Sequence, residues 1–431
     1  MEKKTNVIFF FSDQQRYDTV CEEVTPNICE LAQDGTSFDF AYTCQPVCGP
    51  ARACLQTGVY ASINGCITNG IPMDLSCTER SLAECFNGAG YDTAYIGKWH
   101  LASHYLQYRN KGVPQELRGG YRYWLAADLL EFSSDGYHGT LWDNDCNPVE
   151  FEGVRADKLT DYAIDYIRSV KDKPFFLFLS QLEPHHQNTS GNYECPEGAG
   201  KEFENFPYPE DLAGLKGDYP KHYANYLACC KRLDYNVGRL VEELKNLGIY
   251  DDTVLVYTSD HGCHFRTRNG EYKRSCHDAS THIPLIVVGK DIPKNKRYSH
   301  LASLIDLPPT LLEIAGIEIP KCYNGKPLIE AVKEDRAVRD NVFIQISESH
   351  TGRCVTTKRY VYSIKKCGGK NVYKDDYLYD RELDPAQRHN LINSAKHQEI
   401  KKQLRKTLIE EMVKAGEEAP IIKRRIFYQD I

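Results

Sequence analysis

A cysteine and an arginine lie four residues apart in the segment Cys48-Gly-Pro-Ala-Arg52. Pro50 suits the first turn of a helix, where a missing N–H costs little, and Gly58 suits the helix end. Cys48 is therefore predicted at a helix N-terminus, where backbone N–H groups and the helix dipole favour an anion. Arg52 is predicted on the same face of the helix, one turn later. The segment predicts a nucleophile and a fixed cation beside an anion site.

Six further polar residues follow predicted strands directly or closely. They are Asp13, Lys98, His100, His185, Asp260 and His261. Ligands of parallel α/β sheets bind beyond the carboxyl ends of the strands, so these groups are expected to converge on one cleft. Each residue alone could equally belong to a turn, a helix cap or a solvated surface. Those interpretations leave the ordered set unexplained.

Together these segments resemble the type I, formylglycine-dependent sulfatases of the alkaline phosphatase superfamily. Residues 48–58 are similar to the family signature Cys-x-Pro-x-Arg followed by Thr-Gly, with Ala51 where serine is commonest. Residues 97–100 (Gly-Lys-Trp-His) and 260–262 (Asp-His-Gly) are similar to two more family blocks. Other similar blocks lie, in family order, at 6–14, 183–185, 273–284, 303–312 and 378–391. The resemblance spans nearly the whole chain.

The resemblance implies two cofactor features. A separate maturation enzyme would oxidise Cys48 to formylglycine, whose hydrate supplies the hydroxyl that attacks sulfur. A divalent metal would be bound by residue 48 together with Asp13, Gln14, Asp260 and His261. Oxygen ligands suit Ca²⁺ or Mg²⁺, and histidine nitrogen widens the choice to Mn²⁺. The resemblance favours Ca²⁺.

The resemblance also implies roles for the remaining polar groups. Three cations would bracket the sulfate group, namely Arg52, Lys98 and Lys273. His100 would take a proton from the formylglycine hydrate when sulfate leaves. His185, with Lys273, would protonate the leaving alcohol, and the order Pro-His favours His185 over the neighbouring His186.

Substrate selection is less visible in the sequence. Residues 263–269 contain two arginines, Arg266 and Arg268, which could meet a second anionic group near the cleft. A solvated loop is the alternative. His264 lies in the same segment, and His350 and Arg353 could contribute to the rim from the C-terminal region. We expect a small sulfated mono- or oligosaccharide as the substrate.

These residues must be positioned by a suitable fold. Buried strands are predicted at 6–11, 92–96, 174–180, 253–258 and 283–288, alternating with helices at 25–34, 155–170 and 224–247. This pattern predicts an α/β fold with a large mixed, mostly parallel sheet sandwiched by helices. The resemblance implies that this fold is alkaline-phosphatase-like. Near residue 330 the pattern changes to short strands at 341–346, 354–357, 360–364 and 377–379, followed by a helix at 396–415.

The predicted organisation is therefore a catalytic α/β domain over 1–330 and a smaller α+β subdomain over 331–431 that flanks the active site. This subdomain would contain a small antiparallel sheet with a terminal helix packed on it. The chain has 431 residues, which suits one large core with a smaller companion.

Composition limits the possible partners and surroundings. A net charge of −7 provides no basic field for nucleic acid, and no apolar run approaches the roughly 20 residues of a membrane helix. The apolar run Val7–Phe11 is shorter than a signal-peptide core, so a cytoplasmic protein is expected. The 17 cysteines are scattered, and most are expected to be reduced, buried, small hydrophobic residues.

Two other functions stay open. Gln14 and His261 are also compatible with a phosphonate or phosphate ester hydrolase of the same superfamily. Gln14 stands where the family usually has a second acid, a replacement that resembles the one in choline sulfatases and phosphonate monoester hydrolases. A catalytically silent anion-binding protein, in which Cys48 is never oxidised, is an alternative of another class.

Overall fold

A computed structural model of the chain describes residues 4–423 and contains two separate sheets. The strands of the larger sheet are β1 (Asn6–Ser12), β2 (Gly35–Tyr42), β3 (Asp92–Lys98), β4 (Tyr123–Ala127), β5 (His138–Trp142), β6 (Pro148–Glu152), β7 (Phe175–Ser180), β8 (Thr253–Ser259), β9 (Leu285–Val288) and β10 (Lys296–Ser303). Their spatial order is β10-β2-β9-β8-β1-β7-β3-β4-β5-β6. The central strands β8, β1, β7, β3 and β4 are parallel neighbours. Antiparallel pairs lie on both sides of this centre.

Helices cover both faces of the larger sheet. They are α1 (Pro26–Gln33), α2 (Cys48–Thr57), α3 (Ala61–Asn64), α4 (Leu82–Gly88), α5 (Leu130–Ser133), α6 (Arg155–Val170), α7 (Tyr219–Asn246), α8 (Asp278–Thr281), α9 (Leu307–Ile314), α10 (Ile329–Glu334) and α11 (Gln398–Lys414). Alternate residues of β1 enter two different cores, because successive strand side chains point to opposite faces. Phe9 packs in the core that contains α2, α4 and α9, whereas Phe10 packs in the core that contains α1, α6 and α7.

The smaller sheet contains β11 (Val342–Ile346), β12 (Gly352–Thr356), β13 (Tyr360–Gly368), β14 (Val372–Asp380) and β15 (Ile421–Lys423). The first four strands form an antiparallel meander, and β15 adds to β14 in parallel. Residues on one face, such as Phe343, share a core with Leu408 of α11. Residues on the other face, such as Ile344, pack against Tyr42 and Leu301 of the larger sheet. The small sheet thus joins α11 to the main body.

The predicted fold class is confirmed, and several details differ. The predicted strand at 283–288 is β9, which runs antiparallel to β8. Strands β2, β5, β6 and β10 were not predicted, because their segments lack a continuous apolar run. Strand β4 was also not predicted, although it is a largely buried apolar run of five residues. Thr25 lies at the N-cap of α1, but its hydroxyl donates to the carbonyl of Thr19 and makes no cap hydrogen bond. The division at residue 330 stays a prediction.

Two further expectations concern the chain as a whole. All 17 cysteines lie within the described residues and are free thiols, and ten of them are buried. Over residues 4–423, no helix combines the length and the apolar character that crossing a bilayer requires.

Candidate active site

Side chains from the central strands converge at the carboxyl edge of the larger sheet. Asp13 follows β1, Lys98 ends β3, and Asp260 follows β8. His185 follows β7, and Cys48 is the first residue of α2. All five side chains are buried, with Cys48 only 1% exposed. The predicted convergence is therefore observed in the fold, because these parallel strands end at one edge.

Four potential metal ligands meet at this edge. The donor atoms of Asp13, Cys48, Asp260 and His261 all lie within 4.8 Å of one another. Cys48 Sγ is 3.4 Å from Asp13 Oδ1 and 3.3 Å from His261 Nε2. His261 Nδ1 is 3.0 Å from the carbonyl of Gly262, a contact that makes Nδ1 the donor and leaves the Nε2 lone pair facing the other ligands.

The electrostatics of this group favour a cation. Burial and the neighbouring charge of Asp13 raise the pKa of Asp260 to about 7. Asp260 Oδ2 has no hydrogen-bond partner among the described residues. A divalent ion would satisfy that oxygen and neutralise the two carboxylates, so the residues present fit a metal.

Gln14, the fifth predicted ligand, lies beside the group. Its side-chain oxygen is 3.4 Å from Lys273 Nζ, and its side-chain nitrogen donates to the Tyr193 hydroxyl at 3.0 Å. The hydrogen bond to Tyr193 fixes the amide with its oxygen turned toward the site. The φ of Gln14 is 67°, which places the residue in the left-handed region as the chain leaves β1.

Residue 48 lies among cations. Lys273 Nζ is 2.8 Å from Cys48 Sγ. Burial opposes ionisation of the Cys48 thiol, but its neighbours, with the charges of Lys273 and Lys98 first among them, outweigh burial and hold its pKa well below the usual range. The pocket therefore stabilises negative charge at this position.

Arg52 and Lys98 act on Asp13. Arg52 Nη2 is 2.9 Å from Asp13 Oδ2, and Arg52 Nη1 donates to the carbonyl of Lys98 and to Ser180 Oγ. Lys98 Nζ is also 2.9 Å from Asp13 Oδ2. Burial would raise the pKa of Asp13, but Lys98, His185 and Arg52 together hold it below its usual value. Both cations thus keep Asp13 ionised for the metal.

The start of α2 differs from the expectation of an open anion site. The backbone N–H of Gly49 donates to Asn69 Oδ1 at 2.9 Å, and that of Ala51 donates to the carbonyl of Val47 at 3.0 Å. Pro50 has no N–H. These amides are bonded within the protein, so side chains form most of the anion cage.

The structure separates the two adjacent histidines. His185 Nε2 is 3.2 Å from Lys273 Nζ, inside the site. His186 Nε2 is 3.1 Å from the Tyr272 hydroxyl, and its ring stacks on that tyrosine. Burial and the charge of Lys273 lower the pKa of His185. His185 therefore faces residue 48 and Lys273, whereas His186 packs beside them.

His100 lies on a constrained loop. Its φ is 62°, and its backbone N–H donates to the carbonyl of Asp128. The Asp128 carboxylate accepts from the next two amides, at 2.9 and 3.0 Å. Glu131 is buried beside His100 and Lys98. Sequence reasoning missed both acids, although both follow β4 just as the other site residues follow their strands.

The five predicted substrate residues are dispersed. His264 Nε2 contacts the carbonyl of Lys273 at 2.9 Å and so positions that lysine. Arg268 donates to the carbonyls of Gln387 and Ala386, and Arg353 pairs with Glu417 at 2.7 Å. These contacts account for Arg268 and Arg353 within the fold. Two residues keep more exposed side chains, namely Arg266, which pairs with Asp218 at 3.4 Å, and His350, which contacts Ser349.

A rim from the small sheet reaches the start of α2. The loop between β11 and β12 contains Glu348, which accepts from the backbone N–H of Asn69 at 2.6 Å and pairs with Arg274. Ser349 donates to the carbonyl of Arg274 at 2.9 Å. Because Asn69 bonds to Gly49 and Arg274 follows Lys273, this loop lies at the edge of the site.

The chain is similar to several known proteins. The sulfatase family model matches residues 5–317, and the model of the C-terminal region of N-sulphoglucosamine sulphohydrolase matches residues 270–414. The chain is 31% identical to the uncharacterized sulfatase YidJ of Escherichia coli, over 96% of this chain and 88% of that protein. It is 26% identical to an N-acetylglucosamine-6-O-sulfatase of Bacteroides thetaiotaomicron, over 99% and 89% of the two chains.

A solved structure has a similar fold. The protein BT4656, in complex with its substrate D-glucosamine-2-N,6-O-disulfate, superposes with a TM-score of 0.83 over 97% of this chain and 99% of that chain, at 23% identity. This likeness supports the alkaline-phosphatase-like fold predicted from the sequence.

Proposed function

This chain belongs to the sulfatase family of sulfuric ester hydrolases, and from that premise we propose that it hydrolyses a sulfate monoester of a small carbohydrate. The proposed reaction uses a formylglycine made from Cys48 and a divalent metal, with Ca²⁺ the first choice. One observation carries the proposal. The donor atoms of Asp13, Asp260 and His261 surround Cys48 Sγ within 4.8 Å, at the edge where the parallel strands end.

The two cofactor features would supply chemistry that the unmodified chain lacks. Formylglycine, once hydrated, provides a nucleophilic hydroxyl, which a thiol cannot replace in this reaction. A divalent metal lowers the pKa of a bound hydroxyl and neutralises sulfate oxygens. Asp13, Gln14, Asp260 and His261 would hold the metal beside residue 48. A formylglycine-generating maturation enzyme is the implied partner.

The cations of the site would stabilise the sulfate group as the S–O bond breaks. Lys273 contacts both Cys48 and His185, so its ammonium is placed between the nucleophile and the leaving group. Lys98 and Arg52 both pair with the carboxylate of Asp13, whose Oδ1 is 3.4 Å from Cys48 Sγ. Fixed positive charges in a largely dry site act strongly, because little solvent reorganisation is needed.

Two histidines would move protons. His185 would donate a proton to the leaving alcohol oxygen, with Lys273 beside it. His100 would accept a proton from the side chain of residue 48 when sulfate leaves. General acid–base catalysis of this kind contributes about 10²–10⁴-fold to the rate.

The substrate class rests on two lines of support. The similar proteins include an enzyme named for N-acetylglucosamine 6-sulfate hydrolysis and a structure with a disulfated glucosamine. The reacting position is almost fully buried, so a sulfate group must enter a narrow site from one end of the substrate. His350 and Arg266, near the rim, remain proposed substrate contacts.

The experiment begins with mass spectrometry of the Cys48 peptide from protein made with a matching maturation enzyme. We expect a peptide lighter than the cysteine form. Initial rates are then measured on an aryl sulfate, a panel of sulfated monosaccharides, a phosphate monoester and a phosphonate ester. Chelation of the metal should abolish turnover, and Ca²⁺ should restore it.

Faster turnover of the phosphonate or phosphate ester would replace the proposal with the ester hydrolase of the same superfamily. A Cys48 that stays unmodified beside a competent maturation enzyme, without turnover of any ester, would indicate an anion-binding protein.

A further inference from the structure

A buried acid that the proposed mechanism does not use lies inside the site. Glu131 belongs to the short helix α5, three residues after Asp128, and its side chain is only 4% exposed. Its Oε2 is 3.3 Å from Lys98 Nζ, and its Oε1 is 3.8 Å from His100 Nδ1. Glu131 therefore faces both polar residues that extend from the end of β3.

The polar atoms at this junction are not fully bonded. Within residues 4–423, Glu131 Oε2, His100 Nδ1 and Lys98 Nζ have no partner with hydrogen-bond geometry, although Lys98 forms ion pairs with Asp13 and Glu131. Buried groups of this kind usually have partners, because leaving them open costs about 1–3 kcal/mol each. A small rotation of the His100 ring or of Glu131 would close the 3.8 Å gap, as catalytic hydrogen bonds are often long without substrate.

Glu131 is negatively charged although it is buried in a site for an anionic substrate. Burial would raise its pKa, but its neighbours, with the charge of Lys98 first among them, outweigh burial and lower it, so the carboxylate is ionised. An ionised carboxylate in a site for an anionic ester weakens substrate binding through repulsion. A group that weakens substrate binding benefits the enzyme only if it speeds a later step of the reaction.

The position of Glu131 is fixed from outside the junction. Gln187 Nε2 donates to the carbonyls of Glu131 and Ser134, both at 2.8 Å. Arg155 Nη1 donates to Gln187 Oε1 at 3.2 Å, and Arg155 also pairs with Glu183 at 2.8 Å. The segment that carries His185 thus also holds α5, so the backbone of Glu131 is held in place.

We propose that Glu131 is a positioning residue that accepts a hydrogen bond from His100 Nδ1–H and directs the opposite ring nitrogen, Nε2, toward residue 48. The same carboxylate holds Lys98 against Asp13. A carboxylate beside the far nitrogen of a histidine selects one neutral tautomer and fixes the ring orientation. This inference rests on the proposed function, in which His100 accepts a proton from residue 48.

The first test is kinetic. Glu131→Gln removes the charge, and its amide can also donate to Nδ1, so it no longer selects one tautomer. We expect kcat to fall on the order of 10–100-fold on both 4-nitrophenyl sulfate and a sulfated sugar, while KM stays unchanged or falls. Glu131→Asp, which keeps the charge but is one methylene shorter, should recover part of the loss. Equal kcat in wild type and Glu131→Gln would overturn the proposal.

The two substrates separate positioning from direct sugar recognition. If Glu131 bound a sugar hydroxyl, Glu131→Gln would raise KM for the sulfated sugar and leave hydrolysis of 4-nitrophenyl sulfate intact. That result would also contradict the proposal. Asp234→Asn is the matched control, because Asp234 is a buried acid that joins α7 to α1 through Asn27 and Ile28, away from the site. We expect it to leave kcat unchanged.

The second test does not depend on turnover. In a Cys48→Ala background, ¹⁵N NMR of labelled histidines should show His100 as a neutral ring protonated on Nδ1. Adding Glu131→Gln should convert that signal to a mixture of tautomers. Identical His100 signals in the two proteins would contradict the proposal. If the wild-type enzyme hydrolysed no sulfate ester while the tautomer still changed, the proposed function would fail and the His100–Glu131 contact would stand.

Discussion

Two buried charged clusters in this molecule differ in how their polar atoms are bonded. Around Asp306, both carboxylate oxygens have partners, because Oδ1 accepts from the backbone N–H of Lys326 and Oδ2 accepts from that of Ser303, each at 2.8 Å. Arg339 donates to the same carboxylate, with Nε at 2.9 Å from Oδ2. This Asp306 cluster ties the segment before α9 to the chain beyond it, and it leaves the carboxylate no capacity for a ligand.

The active-site cluster shows the opposite pattern. Buried atoms without hydrogen-bond partners among the described residues include Lys98 Nζ, His100 Nδ1, Glu131 Oε2, His185 Nδ1 and Asp260 Oδ2. Most of these atoms surround residue 48, where a metal and an ester would supply the missing partners. The difference shows that buried charge alone does not mark a functional site in this protein. In the active-site cluster, several unbonded polar atoms of buried charged groups lie together near one residue.

The largest expected effect comes from the centre of the active-site cluster. Cys48→Ala should abolish turnover of every sulfate ester, because no nucleophile can then be formed. The folding stability should change by no more than about 2 kcal/mol, since the substitution removes one small buried group. Product assays and urea unfolding measure the two quantities. Residual turnover above the uncatalysed rate would contradict the role of residue 48.

The next effect separates the two histidines. His185→Ala should lower kcat by about 10²–10⁴-fold on a sulfated sugar, whose alcohol needs a proton to leave. The loss should be much smaller on 4-nitrophenyl sulfate, because nitrophenolate leaves without protonation. His186→Ala is the control, and its kcat should stay close to that of wild type. The same loss on both substrates would argue against His185 as the acid.

A substitution in the Asp306 cluster should lower the folding stability and leave the catalytic rate nearly unchanged. Asp306→Ala leaves the buried Arg339 without its carboxylate, and removing one partner of a buried ion pair costs about 3–5 kcal/mol. Urea unfolding should show this loss, while kcat of the folded fraction stays within about threefold of wild type. A larger loss of kcat than of stability would show that the cluster also serves the active site.

The smallest effect concerns a buried histidine outside both clusters. His282 stacks on Tyr17 with ring centroids 3.7 Å apart, and burial lowers its pKa to about 3. In the unfolded chain its pKa is about 6.5, so below that pH only the unfolded state takes up the proton. His282 therefore contributes stability that is complete above about pH 6.5 and is lost as pH falls toward 3.

His282→Gln should remove this dependence. Each pH unit below about 6.5 should cost wild type about 1.4 kcal/mol more than the variant, until the folded pKa is reached. Urea unfolding at pH 8 and pH 5 measures the difference between the two slopes. Parallel loss of stability in both proteins would show that other buried groups control the acid response.

Sequence patterns were most informative where neighbours along the chain carried the chemistry. The Cys48–Arg52 spacing and the polar residues after buried strands predicted the nucleophile, its helix and the convergence at one edge. The α6 helix begins and ends at the predicted residues. Local patterns suffice in these cases because helix and strand periodicity depend on residues only a few positions apart.

Partners far apart in sequence were missed or misplaced. Glu131 was missed because β4, an apolar run of only five residues, was not predicted as a strand, although Asp128 and Glu131 follow it as the other site residues follow their strands. The same limit affected Arg268 and Arg353, which looked available for a substrate and instead bond to the carbonyls of Ala386 and Gln387 and to Glu417. No local sequence pattern reveals which distant group accepts a hydrogen bond from a long side chain.

The sequence by itself determined the chemical types in the site, their order along the chain and the family to which they belong. Only the tertiary structure decided which of them touch, because hydrogen bonds and ion pairs depend on tenths of an ångström between segments separated by tens or hundreds of residues. It assigned His185 to the site and His186 to its wall, bonded the amides of Gly49 and Ala51 in α2 to protein groups, and placed Glu131 against His100.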